Sequence, residues 1–224
     1  FVDKVFPYKE ILPEELCTDL LKAFLTLSNP DSKPIDKSKS QITKEIGLRT
    51  VDSKIITSQH AELILKWIKR LEITDKLASS YEFKLLFRAS RAGHSPGEFH
   101  EICDNKSRTV TIIKVKDSNE ILGGYNPIEW GTDEYLGTTK DSFIFSFIND
   151  RIENYILSRV KYENQATRNS PYYGPSFGVN DLIIWNLFNG NYYNYCLKSS
   201  YEKSIRKTGN FDVKECEVFQ ISCD

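Results

Sequence analysis

The run TVTIIKVK, from Thr109 to Lys116, limits the possible folds more than any other stretch of this chain. It is β-branched on both faces of an extended backbone, the pattern of a central strand covered from both sides. Asp117-Ser118-Asn119 supplies turn residues, and EILGGY (Glu120 to Tyr125) returns as the antiparallel half of a hairpin. Other short apolar runs fall in with it. FKLLFR (Phe83 to Arg88) reads as a strand, and DSFIFSF (Asp141 to Phe147) places Phe143, Phe145 and Phe147 on one face at period two. DLIIWNLF (Asp181 to Phe188) and VKECEVFQI (Val213 to Ile221) follow, the latter with broken alternation that predicts a bulge. Strands outnumber helices, so the expectation is an α+β chain with a largely antiparallel β core.

Helical signals are fewer. Pro13 at a first helical position, backed by Glu14 and Glu15, opens a helix with Leu16, Leu20, Leu21, Phe24 and Leu27 at helical spacing. SNPDSKPIDKSKS (Ser28 to Ser40) has no periodicity and is rich in Ser, Pro and Lys. It reads as the core of a polar linker over residues 28–50, dividing a helical segment at 1–27 from a main domain at 51–224. Ser58 is placed to cap a further helix carrying Ala61, Leu63, Ile64, Leu65, Trp67, Ile68 and Leu71.

Charge narrows the partners. The 224 residues carry 30 Lys+Arg against 31 Asp+Glu. Binding to phosphate backbones or anionic lipid needs an excess of cations, so nucleic acid and lipid surfaces are disfavoured. No apolar run reaches the length of a membrane span, so membrane insertion is not expected, and FVDKVFPYKE is not a signal peptide. Asn105-Lys106-Ser107 is formally a glycosylation sequon, but nothing directs the chain to a secretory route. Five scattered cysteines (Cys17, Cys103, Cys196, Cys216, Cys223) without a CxxC pair fit reduced thiols in the cytoplasm better than a disulfide framework. A chain that begins at Phe1 and lacks methionine reads as a fragment of a longer protein.

RASRAGHSPGEFHEICD, from Arg88 to Asp104, concentrates side chains that bind metals and move protons. Two of the three histidines, His94 and His100, lie in it with Glu98, Glu101, Cys103 and Asp104. Local chemistry gives a plainer reading. Ser95-Pro96-Gly97-Glu98 has the form of a capping box, with the Ser95 hydroxyl accepting from the Glu98 amide and the Glu98 carboxylate reaching back to the Ser95 amide. Phe99, Ile102 and Cys103 then share an inward face, while His100 and Glu101 point elsewhere. The two histidines are six apart across a helix start, whereas a zincin needs them four apart on one face. No metal site, cofactor or catalytic centre is expected here.

LLFRASRAGHSPGEFHEICDNKSRTVTIIKVKDSNEILGGY resembles the TLDc domain family, whose members show a strand, an SRDGF-like turn, a short helix ending near CD and a hairpin closing on GGY or GGF. Trp130, DSFIFSF, YGPSFG (Tyr173 to Gly178) with Asp181-Leu182, and NFDVKECEVFQI (Asn210 to Ile221) match the rest of the pattern in order, and SKIITSQHAELILKWI (Ser53 to Ile68) matches its opening segment. VFPYKEILPEELCTDLL (Val5 to Leu21) is similar to the end of the BACK-type region preceding TLDc in fungal BTB–BACK–TLDc proteins, which implies a fragment lacking the BTB part. The sequence departs from the family at Ala92, usually Asp, at His94, usually Phe, and in the loop after Gly178, shortened to Val179-Asn180. The resemblance implies two packed, mostly antiparallel sheets flanked by short helices. The family-motif positions are Ser95, Glu98, Phe99, Cys103, Gly123, Gly124, Trp130, Phe143, Phe145, Gly174, Phe177, Gly178, Glu217 and Phe219, all read as structural.

Gly123-Gly124 lacks any phosphate-loop context, so it reads as a place where a strand passes under a neighbour. GPSFG reads as a tight turn seating Phe177, and Tyr192, Tyr193 and Tyr195 as a sheet edge or an interaction surface. Of the cysteines, only Cys196, with Lys198 two residues on and on the same strand face, has a cation placed to favour a thiolate. The resemblance implies a non-catalytic interaction domain that binds the peripheral sector of the vacuolar-type proton-pumping ATPase, with resistance to oxidative stress downstream. The alternatives are client recognition for a BTB-type, cullin-linked ubiquitin ligase and a thiol-dependent antioxidant enzyme.

Overall fold

A computed structural model describes residues 50–148, 151–207 and 209–223, all within the compact unit Lys44–Asp224. The helical segment expected at 1–27, and all but the last residue of the linker expected at 28–50, lie outside the described residues. The chain enters through helix α1 (Ser58–Lys69), strand β1 (Tyr81–Arg88), a short helix α2 (Ala89–Ala92) and helix α3 (Pro96–Cys103). Strands β2 (Thr109–Val115), β3 (Ile121–Asn126), β4 (Tyr135–Gly137), β5 (Phe143–Phe147) and β6 (Tyr155–Arg159) follow. The last are β7 (Thr167–Asn169), β8 (Ser176–Phe177), β9 (Ile183–Phe188), β10 (Asn191–Tyr195) and β11 (Val213–Cys223).

The β-branched run forms the middle of a six-stranded antiparallel sheet in the order β1-β11-β2-β3-β5-β6. Both faces of β2 are covered, as its composition demands. Val110 and Ile112 join a core with α1 and Phe143, Phe145 and Phe147, while Ile113 and Val115 join a second core with Phe87, Phe99, Phe177 and Trp185. The period-two phenylalanines of β5 therefore all meet α1, where the Trp67 ring stacks on Phe147 at 5.7 Å. The expected bulge is present in β11, whose pairing with β2 shifts register between Val213 and Glu215.

The second layer differs from a single sheet. It consists of a three-stranded sheet, β4-β7-β8, and a β9–β10 hairpin, so the described residues hold three antiparallel sheets. Gly174 N donates to Ile184 O at 2.8 Å and Leu187 N to Tyr172 O at 2.9 Å, tying the hairpin to the chain between β7 and β8. The helix cap also moves by one residue. Thr57, not Ser58, is the N-cap of α1, with its Oγ1 2.8 Å from His60 Nδ1 and accepting from His60 N at 3.5 Å. A histidine three residues into the helix thus completes a reciprocal cap that the usual Glu/Gln rule does not foresee.

The two central glycines of β3 allow close approach from opposite layers. A Cβ at Gly123 would collide with the Phe145 ring and the Thr111 carbonyl, and one at Gly124 would lie 2.6 Å from the Phe177 ring. Each missing side chain is replaced by an aromatic ring lying against the strand.

Candidate docking groove

Between β4, β7 and the end of β9 runs a groove of about 530 Å³. Tyr135 and Leu136 form one wall, Leu187 and Phe188 the other, and Arg168, Asn169, Tyr172 and Tyr173 lie between. Its aromatic side chains are open to solvent: Phe188 is 60% exposed and Tyr172 53%. Tyr192, paired with Leu187 in the hairpin, and Tyr193 are also exposed and extend the apolar surface onto β10. A group of large apolar side chains left out of both cores is the kind of surface that marks an interaction site.

The hairpin tip explains why these side chains stand out. Asn189 (φ 49°) and Gly190 (φ 76°) both take left-handed backbone, the requirement of a two-residue type I′ turn. That tight turn carries β9 past the core, so Leu187 and Phe188 face solvent although Ile183 and Ile184 are buried. Arg168 holds the floor, its guanidinium 4.3 Å from the Tyr173 ring centre and donating to Val179 O at 3.1 Å. On the β4 wall the Tyr135 phenol is pushed up by partial burial and by the nearby carboxylates of Asp133, Asp104 and Glu129.

The window from Arg88 to Asp104 does not form a second site. Ser95 Oγ accepts from Glu98 N at 3.5 Å, one half of the expected capping box. The other half is absent: the Glu98 carboxylate packs against Gly93 (φ 119°), which has no side chain to exclude it. Phe99 and Cys103 are fully buried. His100 does not point away, as its helical position suggested. It is buried, with Nδ1 2.6 Å from Asp104 Oδ1 and Nε2 3.0 Å from both Ser170 O and Tyr173 O. The imidazole therefore ties α3 to the segment that floors the groove. His94 is exposed beside Trp185 at 6.2 Å, and Ala92 packs against the core edge. Among the described residues no three His, Cys, Asp or Glu side chains converge as a metal set.

The other motif positions lie in the cores or at their turns. Trp130 Nε1 donates to Thr109 Oγ1 at 2.8 Å, and its ring meets Phe99 and Phe177, each at 5.5 Å. Gly174 lies under Trp185, where a Cβ would be 2.6 Å from the ring. Gly178 (φ 67°) makes room for Asp181, whose buried carboxylate accepts from the backbone N–H groups of Ser199, Ser200 and Tyr201 at 2.8, 2.7 and 3.0 Å. Phe143, Phe145 and Phe219 fill the α1 core, and Glu217 is buried against Arg88.

The three buried thiols are poor nucleophiles. Burial pushes Cys103 up to about 12, with Asp104 adding to it. Cys196 is also pushed up to about 12 by burial, which outweighs the opposing Arg206. Cys216 is raised well above 9.0 by burial, then by Cys103, Glu215 and Glu217. Lys198 gives Cys196 no shared strand face, because β10 ends at Tyr195 and the Cys196 thiol turns inward to donate to Asp181 O at 2.7 Å.

Three features escaped the sequence reading: the β9–β10 hairpin, the burial of His100 and the seating of the Asp181 carboxylate on three backbone amides. Asn189-Gly190 between two aromatic runs was the available signal for the first, since it is the strongest short-range hairpin signature. No curated protein matches the chain. The family model of the TLDc domain matches residues 50–222. A match over that length, on an α+β core with its antiparallel sheets in place, shows that the chain belongs to the TLDc domain family.

Proposed function

We propose that this TLDc domain acts by binding another protein and performs no chemistry of its own. The exposed aromatic groove carries the reading, because it is a surface left unpaired while the side chains that could do chemistry are committed elsewhere. The His100 and Asp181 side chains are held in ties and turns, the Glu98 carboxylate packs against Gly93, and the core thiols are buried and raised. A catalytic site needs a nucleophile or base, a group that orients it and a stabiliser of developing charge. By family resemblance the partner is the vacuolar-type proton-pumping ATPase, bound at its peripheral, ATP-hydrolysing sector, with oxidative-stress resistance as a consequence of that binding. Among the described residues no helix is long and apolar enough to cross a membrane, which fits a partner surface outside the bilayer.

The test is co-sedimentation of the chain with that peripheral sector, beside an unrelated β-rich control. Binding above the control supports the reading, and binding equal to it removes the pump as partner. Peroxide turnover that disappears in Cys196→Ser would overturn the non-catalytic assignment.

A further inference from the structure

We infer that the groove takes an extended, basic segment of a partner polypeptide, with a lysine or arginine seated against Tyr135 among the carboxylates at that end. This rests on the docking reading of the groove and adds the chemistry of its occupant.

Charge complementarity makes the case. Glu134 lines the Tyr135 end, and Asp133 and Glu129 lie close enough to act on the Tyr135 phenol. None of these three carboxylates has an ion-pair partner among the described residues, whereas Asp104 is held by His100. A cation placed there meets carboxylates and the face of an aromatic ring together, a combination that favours ammonium and guanidinium groups. Phosphate-bearing ligands would be repelled. Arg168, which pairs with Leu136 across β4 and β7, adds a donor to the floor that suits a peptide carbonyl.

The floor between the walls is closed. Asn169 is 1% exposed and lines the groove. Its Oδ1 accepts from Gly131 N at 3.4 Å, while Nδ2 has no hydrogen-bond partner among the described residues. That donor is closed to solvent, so an occupant meets the exposed walls and the carboxylates rather than this amide.

Panning a random dodecapeptide phage library on the 224-residue chain reads the occupant directly. The most enriched peptide, synthesised with a fluorescein label, is then titrated by anisotropy against the chain and two variants, Phe188→Ser and the double variant Asp133→Lys, Glu134→Lys. All three positions are exposed, and circular dichroism melts verify that the variants fold. Enrichment of Lys- or Arg-bearing sequences is expected, with Kd raised about tenfold or more by the charge reversal. Phe188→Ser should weaken binding as well, and added salt should weaken it in the parent chain. Uncharged or acidic sequences that still depend on Phe188 would overturn the basic occupant and leave the groove as a docking site. Sequences indifferent to both variants, or no enrichment at all, would overturn both. A dimer of the chain alone that dissociates on charge reversal would assign the groove to a second copy instead.

Discussion

Arg88 Nε donates to Glu217 Oε1 at 2.6 Å, in a place where neither residue is more than 2% exposed. The two stand opposite each other in the β1–β11 ladder. Around them the segment before α1 is fastened to the sheet: Ser53 Oγ donates to Glu217 Oε2 at 2.5 Å, Lys54 N donates to Oε1 at 3.0 Å, and the Arg88 guanidinium donates to Asp52 O at 2.7 Å. Burial alone would lower the Arg88 pKa, but the hydrogen bonds and charges of Glu217 and Asp52 outweigh it and raise it, so the guanidinium stays charged.

Removing one partner should therefore be much worse than removing both. Glu217→Leu leaves the buried guanidinium with only the exposed Asp52 carboxylate as counter-charge and should cost roughly 3–5 kcal/mol. The double variant Arg88→Met, Glu217→Leu fills similar volume without charge and should cost less than either single change. Urea unfolding of the parent, Glu217→Leu, Arg88→Met and the double variant closes the cycle. Equal and additive costs would mean that the pair is not coupled.

His100 should prove structural but important. His100→Ala removes the tie between α3 and the carbonyls of Ser170 and Tyr173, leaving Tyr173 O without its imidazole donor while Ser170 O keeps Tyr173 N, and should cost roughly 1–3 kcal/mol. His94→Ala, on the exposed side of the same window, should change stability by less than about 0.5 kcal/mol. Thermal melts of the two variants make the comparison, and equal effects would contradict the hydrogen-bond geometry.

The thiols predict an alkaline limit. Cys103 and Cys196 are raised from 9.0 to about 12, so the folded chain holds their protons more tightly than the unfolded chain does. That stabilisation is complete below about pH 9 and is lost as pH rises from 9 towards 12. Each thiol should add about 1.4 kcal/mol per pH unit to the fall across that window. Cys103→Ala should flatten the slope of stability against pH accordingly. At pH 8, iodoacetamide should label the exposed Cys223 while Cys103, Cys196 and Cys216 stay unmodified until the chain unfolds.

Where pattern and burial coincide, the fold was readable. TVTIIKV is apolar on both faces because both faces are packed, and the phenylalanines of β5 alternate because only one face meets α1. Long-range polar contacts left no such trace. Nothing local to His100 announces that its acceptors lie 70 and 73 residues away, and nothing in Asp181 announces the three amides of Ser199 to Tyr201. The groove was half visible. Tyr192 and Tyr193 suggested a surface, but its walls come from β4, β7 and β9, which only the tertiary fold brings together.

Gly124 offers the sharpest test of the packing between layers. In a strand, replacing glycine by alanine would ordinarily help, by roughly 0.4–1 kcal/mol, because it restricts the unfolded chain. Here the new methyl would lie 2.6 Å from the Phe177 ring. That ring is held at 5.5 Å from Trp130, which is itself anchored to Thr109, so it has little freedom to withdraw. Overpacking should therefore win, and Gly124→Ala should destabilise by about 1–3 kcal/mol. Phe177→Leu alone should also destabilise, through lost burial, yet the two together should cost less than their sum because the smaller side chain vacates the space the methyl needs. Denaturant unfolding followed by tryptophan fluorescence gives all three values. A stabilising Gly124→Ala, or strict additivity, would show that the ring and the strand do not press on each other as the geometry requires.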